Sequence, residues 1–278
     1  MNPLSVKDYS VSKELFELKY NKELDMLVTT PQPRKEDLAK YYETEDYISH
    51  TDHKRNFFEK LYHLVRKYAI KNKIDLLNSL ASKGDFLDVG CGTGDVLLAA
   101  KKNGWNITGI EPNTLAREIA NKKTNNCVYD IETLLALPEH SFDIISLWHV
   151  LEHLPDLDFH LTQFKKLLKP KGKLIIAVPN YKSYDANHYK EFWAAYDVPR
   201  HLWHFSKNSI KVLFDKFNMK IDKVLPMKFD SFYVSLLSEQ YKTGKKNFLK
   251  AFYIGLVSNM KAKRTKEYSS LIYIIKND

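Results

Sequence analysis

Short apolar segments rich in β-branched residues alternate with segments of helical periodicity from residue 86 to the end of the chain. This alternation is typical of βαβ units, in which a helix crosses over between parallel strands and packs on the sheet they form. The predicted strands cover residues 86–89, 106–110, 127–129, 142–147, 173–178, 220–225 and 270–275. The chain is therefore predicted to contain a doubly wound α/β domain.

Helices are predicted between these strands where apolar residues recur every three or four positions. One covers residues 96–102, and three others follow from the stripes Leu115, Ala116, Ile119 and Ala120; Leu161, Phe164, Leu167 and Leu168; and Ile210, Leu213, Phe214 and Phe217. We expect the Leu161 helix to stop at Pro170, and Ser206 to cap the Ile210 helix.

Two regions do not follow this alternation. Residues 1–83 are predicted to form an N-terminal extension that acts as a lid or packing segment, with a hairpin over 15–20 and 24–29 and a helix. That helix carries the stripe Phe57, Leu61, Leu64, Val65 and Tyr68. Residues 84–278 form the main domain, with a helical insertion at about 230–266 before the last strand. Its apolar stretch 248–257 is expected to pack on its own domain, although a lid, a dimer surface or a membrane-touching helix would give the same pattern.

Composition excludes several classes of protein. The two cysteines, Cys91 and Cys127, rule out a disulfide framework and fit a reducing cytoplasm. No apolar run approaches the ~18 residues of a membrane span, and the first residues lack the pattern of a secretory signal. The formal net charge of +9 comes from dispersed lysines without a nucleic-acid-binding motif, so nucleic acid is not an expected partner. The oligomeric state is not predictable from these features.

A glycine loop over residues 88–95, Asp-Val-Gly-Cys-Gly-Thr-Gly-Asp, follows the first predicted strand and opens a helix. Such loops bring the backbone close to a dinucleotide or to S-adenosylmethionine (SAM). The dinucleotide fingerprint needs its third glycine one position later, where Asp95 stands and would face a diphosphate unfavourably. Asp88 can face a cation, and Glu111 at the end of the second strand can accept hydrogen bonds from ribose hydroxyls. The loop therefore favours SAM.

Four motifs in order, at residues 87–94, 109–112, 129–132 and 142–154, resemble those of the class I SAM-dependent methyltransferases. Within that class, the chain is similar to the small-molecule group that includes ubiquinone-pathway O-methyltransferases. The resemblance implies a Rossmann-like seven-stranded sheet with one antiparallel strand, and SAM as the cofactor. The front segment resembles that of bacterial relatives whose cysteines bind zinc, but those cysteines are absent, so no metal site is predicted.

The resemblance also implies which residues bind the cofactor. Asp88 would lie near the methionine amine, Glu111 at the ribose, and Asp130 at the adenine amino group. Trp148 and His149 would enclose the methionine end. The full set of expected cofactor-binding residues is Asp88, Gly90, Cys91, Gly92, Gly94, Glu111, Pro112, Asp130, Ile131, Trp148 and His149.

Two histidines are candidates for a general base, because a hydroxyl acceptor must lose a proton when it is methylated. His153 follows the fourth main-domain strand, and His201 lies in the aromatic segment 193–205, which follows the fifth. The same segment supplies the expected substrate contacts Trp193, Asp197, Arg200 and His204. Structural roles remain open: His153 can support the fold, Asp197 and Arg200 can form a loop ion pair, and His204 can cap a helix.

The favoured function is methyl transfer from SAM to a small molecule, most readily to a hydroxyl oxygen. A nucleic-acid adenine methyltransferase would carry a different motif where residues 147–150 read Leu-Trp-His-Val. Two alternatives stay open at this point, a non-catalytic SAM-binding protein and an NAD(P)-dependent reductase. The acceptor itself is not predictable.

Overall fold

The computed structural model describes residues 3–42 and 57–278. The chain divides into two compact units, and each takes three separate stretches of sequence. The first unit consists of Met1–His50, Leu151–Pro155 and Ala177–Tyr273, and the second of Thr51–Val150, Asp156–Ile176 and Ile274–Asp278.

The strands are β1 (Leu4–Lys7), β2 (Leu15–Asn21), β3 (Met26–Thr30), β4 (Asp85–Val89), β5 (Asn106–Ile110), β6 (Val128–Tyr129), β7 (Phe142–Trp148), β8 (Leu168–Pro179), β9 (Trp203–His204), β10 (Met219–Pro226) and β11 (Ser270–Asn277). The α-helices are α1 (Phe57–Leu80), α2 (Asp95–Lys102), α3 (Thr114–Thr124), α4 (Leu157–Leu167), α5 (Tyr184–Tyr189), α6 (Lys207–Asp215), α7 (Asp230–Thr243) and α8 (Phe248–Thr265). No helix in the described ranges is both long enough and apolar enough to cross a membrane.

A mixed seven-stranded sheet has the order β10-β11-β8-β7-β4-β5-β6, which confirms the predicted fold class with its single antiparallel strand. Strand β4 pairs in parallel with β5 on one side and β7 on the other, so that Val89 lies opposite both Ile110 and Leu147. After β4 the chain first adds β5 and β6 on one side of this strand and then β7 and β8 on the other. In α/β proteins, ligands bind at the carboxyl ends of the strands where the order reverses in this way. The glycine loop starts at that end of β4.

The N-terminal hairpin is confirmed, since β2 and β3 are antiparallel with Leu18 opposite Thr29. Side chains alternate along β2: Phe16 and Leu18 are buried, whereas Leu15 is exposed. The hairpin belongs to a second sheet with the order β1-β2-β3-β9. The two residues of β9 come from the aromatic segment, a pairing that the sequence pattern did not predict.

The helical insertion before the last strand is confirmed and consists of α7 and α8. A Cβ atom at Gly255 in α8 would lie 2.7 Å from the Phe232 ring, so the two helices meet closely at this glycine. The hydroxyl of Ser231 also donates to the carbonyl of Gly255 at 3.1 Å. The helices of the insertion therefore pack on each other.

Several expected details are wrong, and each error has a local physical cause. Helix α4 ends at Leu167 and does not reach Pro170, because Leu168 is extended with ψ of 133° and already begins β8. Phe217 lies beyond the end of α6. Leu115 is 53% exposed, since α3 packs through the smaller Ala116, Ala120 and Thr124.

The α1 helix exists, but its expected apolar stripe is not uniformly buried. Leu64 is 63% exposed and Tyr68 51%. The side chains of Phe57 and Leu61 lie outside the described part of the chain. The buried contacts of α1 come later in the helix, from Ile74 and Leu77.

Candidate active site

The glycine loop joins β4 to α2 through three glycines that all have positive φ: Gly90 (68°), Gly92 (54°) and Gly94 (76°). A Cβ atom at Gly90 would lie 2.4 Å from Val150, and one at Gly94 would lie 2.9 Å from Ala120. No described atom lies within 4 Å of a Cβ built at Gly92. Gly90 and Gly94 are thus needed for packing, whereas Gly92 leaves its backbone open to a ligand.

Glu111 holds this loop from the end of β5. Its carboxylate accepts the backbone N–H of Gly92 at 2.7 Å and that of Asn113 at 2.9 Å. Burial raises the pKa of Glu111, while these two hydrogen bonds act in the opposite direction. The side chain is thereby oriented at the sheet edge, and its oxygens keep lone pairs that can accept hydroxyl donors. Cys91 lies in the same loop as a half-buried thiol, and burial raises its pKa, which disfavours the thiolate form.

Asp88 lies in the strand just before the loop and is 2% exposed. The hydroxyl of Ser146 in β7 donates to its carboxylate at 2.5 Å. Burial is the largest influence and raises the pKa of Asp88 to about 6, although Ser146 and the charge of Lys73 act to lower it. A buried carboxyl group of this kind is stabilised in its charged form by a cationic ligand.

Two basic residues of α1 lie at the same site and were missed from the sequence. Arg66 forms an ion pair with Asp95, which also binds Lys123 at 2.9 Å. Lys73 lies over the Trp148 ring at 4.3 Å. Arg66 and Lys73 are seven residues apart, so they share one helix face, and this spacing was the available signal. Because Asp95 is paired with two cations, it would repel a diphosphate less strongly than an unpaired carboxylate. Its presence in the loop is therefore weaker support for SAM over a dinucleotide than the sequence suggested.

Trp148 is the last residue of β7 and His149 follows it, at the strand end expected from the sequence. Within the described residues, the buried indole N–H of Trp148 has no hydrogen-bond acceptor. His149 adopts a left-handed conformation with φ of 56°, which is uncommon for a residue with a side chain and is concentrated at functional sites. The indole N–H of Trp148 and the ammonium group of Lys73 can together bind a carboxylate, and the carboxylate of Asp88 can bind an amine. The methionine end of SAM carries both groups, so the residues present fit this cofactor.

The remaining expected cofactor residues lie at the ends of β5 and β6. Asp130 follows β6 and is paired with Arg117 at 3.0 Å. Arg117 also donates to the backbone carbonyls of Glu111 at 2.6 Å and Pro112 at 2.9 Å. Arg117 therefore ties the two strand ends together, and the half-buried Ile131 follows directly. All eleven expected cofactor residues belong to the second unit.

The two candidate bases lie together in the first unit. The rings of His153 and His201 are 4.6 Å apart and nearly perpendicular. Glu152, which is 1% exposed, completes a group whose potential ligand atoms all lie within 4.8 Å of one another. Such a group can hold a proton or, with two imidazoles and a carboxylate, a divalent cation. Glu152 was not singled out from the sequence, although it precedes His153 in the same motif.

Hydrogen bonds determine which ring nitrogens are basic. Nδ1 of His201 lies 2.9 Å from the carbonyl of Ala195, and Nδ1 of His153 lies 3.0 Å from the carbonyl of Arg200. A carbonyl oxygen only accepts, so each Nδ1 atom carries a hydrogen, and Nε2 is the nitrogen that carries the lone pair whenever the ring is neutral. The Tyr42 hydroxyl lies 2.9 Å from the same Nδ1 of His153. Burial and the neighbouring His153 hold the pKa of His201 well below its usual value, which keeps this imidazole neutral at pH 7.

The other residues of the aromatic segment have mainly structural contacts. Trp193 is 1% exposed and donates to Asp185 at 2.8 Å. Arg200 pairs with Asp197 and donates to the Ser10 hydroxyl at 2.8 Å. The ion pair anticipated as an alternative is thus present, and a substrate role for either residue stays a prediction.

His204 lies in β9, and its Nε2 is 3.0 Å from the Thr29 hydroxyl. The cap of α6 is Ser206, which forms a capping box with Ser209, so the alternative that His204 caps this helix is wrong. Burial lowers the pKa of His204 to about 3. It is therefore a neutral, buried side chain whose substrate role remains untested.

Comparison with known proteins gives a consistent family. Residues 61–224 match the family model described as a methyltransferase domain. The ubiquinone biosynthesis O-methyltransferase of Coxiella burnetii is 36% identical over 107 residues, which cover 35% of this chain and 45% of that protein. The 2-methyl-6-phytyl-1,4-hydroquinone methyltransferase of Synechocystis sp. is 29% identical over 131 residues, or 41% of this chain and 40% of that protein. The chain thus spans about half the length of the curated relatives it matches.

A solved structure shows the same fold. The SAM-dependent methyltransferase from Thermotoga maritima, described as a possible histamine N-methyltransferase, aligns with a TM-score of 0.55 at 19% identity. The alignment covers 79% of this chain and 95% of that chain. The family match does not support the alternative of an NAD(P)-dependent reductase.

Proposed function

The chain belongs to the methyltransferase-domain family of SAM-dependent enzymes, and on this premise we propose that it methylates a hydroxyl oxygen of a small-molecule acceptor. The observation that carries the proposal is the pair of adjacent imidazoles, His153 and His201, each with its Nδ1 held by a backbone carbonyl so that Nε2 is left to accept a proton. Methyl transfer from SAM otherwise needs little more than positioning of two reactants. A built-in base is useful chiefly when the acceptor must lose a proton. We place this activity in the cytoplasm, which the two free cysteine thiols support.

When bound, SAM supplies a methyl group already activated on a sulfonium. The chain's own residues must hold that cofactor and prepare the acceptor. In the proposal, Asp88, Trp148 and Lys73 bind the charged groups of the methionine end, and Glu111 orients Gly92 and the ribose. The Gly92 backbone lies open beside them. These residues bind and orient, and none of them takes part in proton transfer.

The proton of the acceptor hydroxyl goes to Nε2 of His153 or His201. The charge of Glu152 favours the protonated form of His201, which offsets part of the cost of placing an imidazolium in a buried site. The carbonyls of Ala195 and Arg200 keep each ring oriented while the proton moves. General-base catalysis of this kind contributes roughly 100- to 10,000-fold in rate.

The named relatives support an aromatic hydroxyl as the acceptor group. One relative is named an O-methyltransferase of ubiquinone biosynthesis, and another is named for a hydroquinone. Aromatic hydroxyls ionise near pH 10, so a neutral imidazole can assist their deprotonation at neutral pH. We therefore propose an aromatic alcohol of quinol type as the acceptor class.

Turnover of labelled SAM with matched aromatic alcohols and aromatic amines tests this assignment. We expect methylation of the alcohols, with His153→Ala and His201→Ala each lowering kcat by about 100-fold or more while the Kd for SAM stays unchanged. His140→Ala serves as the matched control, because Nδ1 of this histidine also contacts a backbone carbonyl, that of Leu168, and the residue is not among the expected site residues. Preference for the amines would contradict the hydroxyl acceptor. Full activity in both alanine variants would contradict the base.

Removal of metal ions distinguishes a base from a metal centre in the Glu152–His153–His201 group. If the imidazoles act as bases, activity persists after treatment with a chelator and desalting, because no step needs a cation. The measurement is kcat for chelated protein with and without added Zn²⁺ or Mg²⁺. Activity that is lost on chelation and restored by one of these ions would replace the base with a bound metal.

A further inference from the structure

We propose that the outer face of α8 binds the surface of an anionic phospholipid bilayer. This inference concerns the helical insertion and does not depend on the acceptor or on the base. Both faces of α8 carry apolar side chains, although only one face is buried.

The inner face of α8 is buried and consists of small residues apart from one isoleucine: Ala251, Ile254, Gly255, Ser258 and Ala262. The outer face carries large residues that are exposed by 41% to 87%: Leu249, Phe252, Tyr253, Leu256 and Met260. Their spacing of three, four, seven and eleven from the first places them within an arc of about 100° on the helix. A continuous apolar stripe of this size on a protein surface marks a binding face more often than chance exposure.

The charged residues within and next to α8 are basic. Between Gln240 and Lys266 the chain has eight basic residues and no acidic one: Lys242, Lys245, Lys246, Lys250, Lys261, Lys263, Arg264 and Lys266. Lys250 pairs with Glu239 at 3.0 Å, and Lys261 lies 3.9 Å from the centre of the Tyr184 ring. The other six are exposed to solvent. The helix thus combines an apolar stripe containing aromatic rings with a basic surround, as helices that lie at a bilayer surface do.

The same charges decide between a lipid surface and a second copy of this chain. Two copies that met through this stripe would bring their basic residues together, and like charges close to each other oppose association. Anionic headgroups attract these residues, and the stripe can then enter the boundary between headgroups and acyl chains. Charge complementarity therefore favours an anionic bilayer over a second copy of the chain as the partner of this face.

Vesicle co-sedimentation of the full chain tests the proposal. We expect binding to vesicles of phosphatidylcholine mixed with phosphatidylglycerol at low salt, with affinity at least about tenfold weaker at high salt or on phosphatidylcholine alone. Leu249→Ser should weaken binding, whereas Leu15→Ser, which changes an exposed leucine on β2, should not. Lys245→Gln with Lys246→Gln should also weaken it, and Lys102→Gln with Lys122→Gln should not. Circular dichroism verifies that each variant is folded.

Three results would overturn the proposal. One is equal binding to neutral and anionic vesicles, and another is equal binding by the Leu249 and Leu15 variants. The third is no vesicle binding together with a dimer that Leu249→Ser dissociates, which would assign the stripe to a second copy. Activity on a water-soluble acceptor is measured separately with Leu249→Ser, so failure of the membrane surface and failure of the proposed function remain distinguishable.

Discussion

The carboxyl group of Asp88 is buried at the end of β4, where Ser146 donates to it and Lys73 contributes a positive charge. The sequence indicated an acidic residue before the glycine loop, but its pKa depends on burial and on partners from β7 and α1. At the same scale, Glu111 was expected to meet a ribose, and the structure adds that it first holds the N–H groups of Gly92 and Asn113. Glu111 therefore combines support of the loop with its proposed contact to SAM, whereas Asp88 is held by a neighbouring strand.

Binding of SAM should depend on pH through Asp88. Its pKa is raised to about 6, so the carboxylate that favours a cationic amine is formed above that pH and lost below it. We expect the affinity for SAM to fall as pH decreases below 6, by at most about tenfold per pH unit. Isothermal titration at several pH values measures this, with Asp88→Asn as the variant that should bind weakly and without this dependence. A wild-type affinity that does not change across this range would contradict the role of Asp88.

At the scale of elements, the segment from β4 through the glycine loop to α2 is the part of the site that local sequence determines most completely. The three glycines adopt the positive φ angles that such a turn needs, yet they do not have equivalent surroundings. A Cβ atom at Gly94 would clash with Ala120 of α3, whereas no described atom lies within 4 Å of a Cβ atom at Gly92. Gly94 is therefore needed for close helix packing, and Gly92 leaves room for a ligand.

Substitution of these two glycines should separate stability from binding. We expect Gly92→Val to remove most SAM affinity while the chain stays folded, because the added side chain occupies the open space and φ becomes strained. Gly94→Val adds a clash with Ala120 to the same strain and should lower the free energy of unfolding by roughly 1–3 kcal/mol more than Gly92→Val. Urea unfolding and isothermal titration report the two quantities. Equal destabilisation by both variants would contradict this division.

At the scale of the whole molecule, each unit is assembled from stretches distant in sequence. The short stretch Leu151–Pro155 belongs with residues of 177–273 and not with the strand that precedes it. Because of this placement, His153 lies next to His201, and the two histidines form a group with Glu152. The same unit buries His201 and His204, and burial lowers the pKa of both, which affects how the chain responds to acid.

Acid should destabilise the folded chain through its buried histidines. The pKa of His204 is lowered to about 3, so the unfolded chain binds a proton at this residue below pH 6.5 while the folded chain does not. Stability is therefore expected to fall as pH decreases from 6.5 towards 3, by about 2 kcal/mol from this residue at pH 5. Urea unfolding at pH 7 and pH 5 measures the change. His204→Gln keeps a partner for Thr29 without titrating and should show a smaller change; an identical change would rule out His204 as a cause.

The sequence by itself determined where most of the main-domain strands lie along the chain and where the glycine loop lies. It also determined the acidic residues at the ends of β4 and β5 and the helix cap at Ser206. These features depend on neighbours within a few residues, such as periodicity, turn conformation and capping, so they can be predicted from short stretches. Only the tertiary structure decided that Lys73 meets Trp148, that β9 joins β3, that Leu115 stays exposed, and that His153, His201 and Glu152 form one group. Burial and pairing between distant segments set these contacts, and no local pattern carries that information.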